Sequence, residues 1–225
     1  MSEKLRNKNT PRLWDRLLFE IDETMLNSPY YKDKIRRVIR FLKDKNGNFL
    51  DVGFGMGNLE KNIILNKIPF NIYGVDFSQK AVNRAKKLLK GKYIVGNAKK
   101  LSFKSSFFDV VAMLDVYEHI SKNDSKKVMG EISRVMKIES CLVISVPINE
   151  DLKKMNYEGT NYNMHVRQFT SKSLTNELRE SGFRVINEDH LYAFKSFYFI
   201  KTLIAKVISG IRKPNVLIVY ATKCR

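Results

Sequence analysis

Cysteine is almost missing from this chain of 225 residues, with Cys141 and Cys224 the only two. They match neither a paired framework nor a zinc-ligand spacing, so a reduced, cytoplasmic setting is expected. No stretch approaches the ~18 uninterrupted apolar residues of a membrane-spanning helix. The opening MSEKLRNKNTPR lacks the apolar core of a cleaved signal. Proline is sparse at five residues and glycine at eleven, which excludes collagen-like and low-complexity chains. What remains is 44% apolar, enough at this length for one full-sized core without disulfide or metal staples.

Acidic residues are also short, 23 against 41 Lys and Arg, giving a net charge of +18. That excess invites a nucleic-acid reading, but its distribution is flat. Residues 1–45, 46–150 and 151–225 carry +5, +6 and +7, with no basic arm. Lys outnumbers Arg 28 to 13, and neither Arg forks nor aromatic platforms concentrate anywhere. The pattern argues against a dedicated nucleic-acid role, and an A/T-rich source genome is a sufficient explanation of it.

The periodicity alternates strands and helices. Ser28-Pro29 reads as an N-cap and N1 pair opening a helix to about Lys43, with Ile35, Val38, Ile39 and Leu42 on one stripe. Strands are expected at 49–52, 70–75, 93–95, 107–114, 141–146, from 183, and at 216–222. Helices are expected at 58–65, after the Ser78 cap, at 124–136, and at 171–181, the last stopped by Gly182. This alternation predicts an α/β, doubly wound sheet in a single domain spanning 1–225. Residues 1–45 form an N-terminal helical cap, 148–170 a lid or insertion loop, and 195–212 an amphipathic helix.

The sharpest local signal is Asp51-Val52-Gly53-Phe54-Gly55-Met56-Gly57, placed between a strand and a helix. Glycines there let the backbone approach a ligand and turn tightly into a helix N-terminus. Asn58 stands where a G-x-G-x-x-G dinucleotide fingerprint needs its last glycine. Asp76 ends the next strand and sets a carboxylate beside the loop, suited to a ribose diol.

In these and three further blocks, five in all, the sequence resembles the class I S-adenosylmethionine-dependent methyltransferases, near the ubiquinone/menaquinone-biosynthesis type. FLDVGFGMG is similar to that family's glycine loop, and IYGVDFSQKAVNRAKK to its second strand and ribose-binding acid. GNAKKLSFKSSFFDVVAMLDVYEHI, EISRVMK and HVRQFTSKSLTNELRESGFRV follow in the family's order, from about Asn48 to Phe183. The resemblance implies a Rossmann-like, seven-stranded, mostly parallel sheet of order 3-2-1-4-5-7-6, helices on both faces, and an antiparallel last strand. It implies S-adenosyl-L-methionine as cofactor. Gly53, Phe54, Gly55 and Gly57 would wrap its methionine part, with Asp51 beneath the loop. Asp76 would take the ribose, Phe77 would pack on the adenine, Asn97 and Ala98 would meet the adenine edge, and Leu114 would offer its backbone to the amino group. Asn97 departs from the family's usual Asp, and Ile138-Glu139-Ser140 from its Pro-Gly-Gly turn.

Methyl transfer from a sulfonium needs alignment above all, and a base only where the acceptor must lose a proton. Asp115, Glu118 and His119 follow the fourth strand, and His119 is the expected base because imidazole titrates near neutrality. Its alternative is support of the following helix. His165 and Arg167 line the acceptor pocket or anchor the loop, His190 is structural, and no spacing suggests a metal. Tyr30, Tyr31, Tyr157 and Tyr162 flank the expected crevice. The expected partner is a small-molecule acceptor, such as a hydroxyl of an aromatic, lipid-like or sugar-like metabolite, used by a monomer or homodimer. An RNA- or protein-directed enzyme and a non-catalytic cofactor-binding scaffold are the alternatives. In helix 195–212, Phe199, Ile200, Leu203, Ile204 and Val207 share a face opposite Lys195 and Lys206. That face either packs on the sheet or a second subunit, or makes peripheral contact with a membrane.

Overall fold

A computed structural model describes residues 10–20, 26–161, 164–194, 197–208 and 213–224. Tyr162, Lys195, the side chain of Lys206, and the ends of the cap and amphipathic helix at 1–9 and 209–212 lie outside the described residues. Seven strands form one sheet: β1 (Gly47–Val52), β2 (Phe70–Asp76), β3 (Lys92–Val95), β4 (Phe108–Leu114), β5 (Met136–Pro147), β6 (Phe183–Leu191) and β7 (Val216–Lys223). Their order is β3-β2-β1-β4-β5-β7-β6. Pairs β3·β2, β2·β1, β1·β4 and β4·β5 are parallel, whereas β7 is antiparallel to both β5 and β6. The sheet therefore has the order and the antiparallel last strand that the resemblance implies. Strand order reverses between β1 and β4, and the crevice outside their carboxyl ends is where such sheets bind ligands.

Eight helices are described: α1 (Pro11–Glu20), α2 (Pro29–Leu42), α3 (Asn58–Leu65), α4 (Gln79–Leu88), α5 (Lys122–Val135), α6 (Leu152–Tyr157), α7 (Ser171–Glu180) and α8 (Tyr198–Val207). Alternation along the strands divides the core. Leu50, Val52, Val111 and Met113 face Val128, Ile132, Leu174 and Leu178 of α5 and α7. Phe49, Val110 and Ala112 face Val38 and Leu42 of α2, Ile63 of α3 and Ala85 of α4. Nearly every central-strand side chain is thus covered, as expected where helices lie on both faces. The caps match their sequence signals: Ser28 Oγ accepts from Tyr31 N at 3.3 Å, and Ser78 Oγ from Ala81 N at 3.0 Å.

Three elements differ from the sequence expectation. β5 begins at Met136, directly after α5, because a register shift lets Met136 pair Phe108 before Cys141 pairs Val110, and Glu139 turns the chain at φ 60°. The lid region contains the short helix α6, and a bridge between Ile148 and Phe169 closes its base. Helix α8 buries Tyr198 and Ala205 but leaves Phe199, Ile200, Leu203, Ile204 and Val207 exposed. This face therefore does not pack on the sheet, one of the expectations for it, and stays open to a second subunit or a membrane.

Candidate active site

One half of the site is built from the β1 and β2 ends. Gly53, Gly55 and Gly57 hold φ values of 78°, 54° and 75°, the left-handed region that glycine enters without penalty. Gly53 also has no room for a side chain, since a Cβ would meet Val116 Cγ2 at 2.4 Å. Asp76 fastens the loop to the next helix: Oδ2 accepts from Gly55 N and Oδ1 from Ser78 N, both at 2.8 Å. Burial raises the Asp76 pKa, and those backbone donors oppose the shift. The Phe77 N–H also bears on this carboxylate, so backbone donors from both the loop and the next helix start converge on it.

Beneath the loop Asp51 is buried beside the carboxyl of Glu60, and its Oδ1 has no hydrogen-bond partner among the described residues. Burial pushes Asp51 up to about 7 and Glu60 well above its usual range. Phe54 turns its ring into the core, edge-on to Tyr93 at 5.1 Å, so that only its backbone belongs to the loop. Phe77 after β2, Asn97 and Ala98 after β3, and Leu114 at the end of β4 are half-buried at the carboxyl edge of the sheet. Asn97 Oδ1 accepts from Lys99 N at 2.9 Å, which fixes the turn carrying it.

The other half lies at the β4 end. Asp115 has φ 56°, and its carboxylate pairs with Lys34 from α2 while accepting from Ser145 Oγ at 2.7 Å. The Lys34 side chain is 1% exposed and that of Asp115 40%, so a buried ammonium reaches up to the crevice floor. Burial opposes both charges, but their attraction prevails: Asp115 sits below the usual carboxylate range and Lys34 above the usual amine range. After Asp115 the chain makes one 3-10 turn, Tyr117–His119. The Glu118 carbonyl accepts from Val166 N at 3.0 Å and Arg167 N at 3.2 Å, stapling the lid region to this turn.

That staple brings the two histidines together, with ring centroids 5.1 Å apart. His165 Nδ1 donates to Glu150 Oε2 at 2.9 Å, and its Nε2 lies 4.0 Å from Glu118 Oε1. His119 Nδ1 donates to Met164 O at 3.4 Å, which places the lone pair of the neutral ring on Nε2. Burial, and then the neighbouring His165, lowers His119 to about 4. Glu118 is fully buried, with Oε2 unpartnered among the described residues, and burial raises it well above the carboxylate range. No spacing in the sequence announced a group of this kind, but Glu118, His119 and His165 offer ligand atoms within 4.8 Å of one another.

Helices α1 and α2 cover the crevice. The Trp14 ring meets His119 edge-on at 4.8 Å, while Asp15 Oδ1 accepts from Ser78 Oγ at 2.5 Å and Lys80 N at 3.1 Å. Tyr31 lies 5.0 Å from Lys34 Nζ, and burial raises both Tyr30 and Tyr31. Tyr30 and Tyr31 are half-buried beside Lys34, whereas Tyr157 is 93% exposed. Arg167 lies over Tyr117 and Phe169, at 5.0 and 4.6 Å, and pairs with Glu177, so it anchors the lid region. His190 meets Ser171 Oγ at 2.8 Å on the surface. Trp14, Asp15, Lys34 and Glu150 escape sequence reading because only tertiary contact makes them part of the site. The polar Lys34 at a core-facing position of α2 was the one available signal.

The residues fit an adenosyl sulfonium cofactor. A carboxylate held by backbone donors ends β2, Gly53 of the glycine loop has no room for a side chain, and a buried carboxyl oxygen of Asp51 without a hydrogen-bond partner among the described residues lies beneath the loop. A methyltransferase-domain family model matches residues 27–188. A demethylmenaquinone methyltransferase of Thermotoga maritima is 28% identical over 165 residues, covering 71% of this chain and 70% of that protein. A SAM-dependent methyltransferase structure from the same organism superposes with a TM-score of 0.68 at 20% identity, over 94% of this chain and 99% of that one. A methyltransferase in complex with the Haloferax volcanii Trm112 methyltransferase activator gives a TM-score of 0.70 at 12% identity, over 94% and 98%. At those identities the two structures speak for the fold alone.

Proposed function

The chain belongs to the methyltransferase-domain family and is an S-adenosylmethionine-dependent methyltransferase, and from that premise we propose that its acceptor is a hydroxyl-bearing aromatic or lipid-like small molecule. The observation that carries this reading is the neutral His119 beneath the Trp14 edge, beside the Glu150–His165 pair. The cofactor supplies an electrophilic methyl and a neutral thioether leaving group. Asp76 and the glycine loop would hold its ribose and methionine parts, and Asp51 would face its ammonium. Trp14, Tyr30 and Tyr31 would flank the acceptor and exclude water, which aligns the displacement.

His119 Nε2 would take the hydroxyl proton as the carbon–oxygen bond forms. A group titrating at about 4 suffices, because an oxygen under methylation becomes steeply more acidic along the reaction. Glu150 fixes the His165 tautomer through Nδ1. The demethylmenaquinone methyltransferase relative supports an acceptor with an apolar body.

An RNA acceptor is the second reading, favoured by the net charge of +18. Incubation of the enzyme with methyl-labelled cofactor and either a metabolite extract or total RNA decides between them. Label in an organic-extractable metabolite supports the first reading. Label confined to RNA, with protein retained on RNA at physiological salt, overturns it.

A further inference from the structure

Helix α8 is inverted relative to an ordinary surface helix. Its apolar residues Phe199, Ile200, Leu203, Ile204 and Val207 are between 44% and 74% exposed, and its attachment runs through Tyr198 and Ala205. Tyr198 OH donates to Asp33 Oδ2 at 2.9 Å, and Tyr192 OH to the Ala205 carbonyl at 3.4 Å. A contiguous exposed apolar face of this kind marks an interaction surface. Its charge identifies the occupant. Residues 191–225 contain seven Lys and Arg and no Asp or Glu. Around the face itself, Lys201 is exposed on α8, and Arg36 of α2, 58% exposed and paired with Asp33, lies 5.9 Å from the Phe199 ring. A second copy of the chain would bring the same basic set against itself. An anionic bilayer matches both halves of the pattern, taking apolar side chains into its interface and lysines and arginines against its phosphates.

We propose that α8 docks the enzyme on anionic phospholipid membranes, lying in the interface with Phe199, Ile200, Leu203, Ile204 and Val207 toward the acyl chains. Asp33, which holds α8, immediately precedes Lys34, whose ammonium reaches the crevice floor. Docking therefore sets the α2 side of the site against the membrane, the source from which an apolar acceptor is drawn. The docking itself requires no methyl acceptor, so it stands or falls apart from the proposed function.

Co-sedimentation with phosphatidylglycerol-containing and pure phosphatidylcholine vesicles tests this on the full chain. Binding to the anionic vesicles is expected, at least tenfold weaker on neutral ones and lost at high salt. The Phe199→Ser/Leu203→Ser variant should stay unbound while keeping its melting-temperature increase with S-adenosylhomocysteine, which shows that it is folded. Lys201→Glu should weaken binding by more than about fivefold, the usual worth of one basic residue at such a surface. Equal sedimentation with both vesicle types, or wild-type binding by the folded double variant, overturns the proposal. So does light scattering that finds a dimer dissolved by the same substitutions in a protein that ignores vesicles.

Discussion

Replacing Asp76 by Asn tests the cofactor half of the site with almost no change of shape. The carboxylate holds Gly55 N and Ser78 N at 2.8 Å, one on each oxygen. An amide keeps one acceptor and turns an NH2 toward the other backbone donor. Two losses follow. In the free protein, one buried N–H is left facing a donor, a cost of about 1–3 kcal/mol to folding. In the complex, the ribose loses one hydrogen bond to a charged acceptor, about 1.5–3 kcal/mol, or roughly 10- to 150-fold in affinity. Calorimetric titration with S-adenosylhomocysteine reads the second loss, and urea unfolding without ligand reads the first. The variant should show both, and Asp76→Ala should bind more weakly still. Wild-type affinity in a folded Asp76→Asn protein would refute the placement of the ribose, and tight NADH binding would refute the cofactor assignment of the whole crevice.

His119→Ala should lower turnover by ~10²–10⁴-fold in steady-state assays while leaving S-adenosylhomocysteine affinity intact. Full turnover in the folded variant would remove His119 as base and shift the acceptor away from a hydroxyl. Because His119 is held down to about 4, it stays neutral above that pH. Its limb in a profile of kcat/KM against pH should therefore rise through about 4 and be level from about 6 to 8, and a limb near 6.5 would contradict the burial argument. Asp115→Asn strips the counterion from a buried Lys34 and should cost about 3–5 kcal/mol in urea unfolding, with Lys34→Met added to it restoring part of the loss. Gly53→Ala, strained at φ 78° and blocked by Val116, should lower both melting temperature and cofactor affinity.

What the sequence made legible was local. The glycine loop, the strand-ending Asp76 and the Ser28 and Ser78 caps depend on neighbours within a few residues, and each lies where periodicity and turn chemistry put it. The strand order was legible only through five motif blocks kept in sequence order. The acceptor half was not legible as a unit. His119 stood out as an imidazole after β4, but His165 joins it only because the Glu118 carbonyl captures Val166 and Arg167 across the lid region. Helix α8 shows the limit most clearly. Period 3.6 identifies an apolar face but not what it faces, and a structural element with an outward apolar side reads the same as one with an inward side.

Trp14 and Asp15 are consecutive residues of α1, yet one touches His119 in the turn after β4 and the other Ser78 after β2. Under the proposed placement of cofactor and acceptor, a single turn of helix would be a common wall to both. Any movement of α1 that releases Asp15 from Ser78 shifts the ring resting on His119, so the two occupants are not independent tenants. Linkage then imposes a symmetry on the enzyme: by whatever factor bound cofactor tightens the hold on acceptor, bound acceptor must tighten the hold on cofactor.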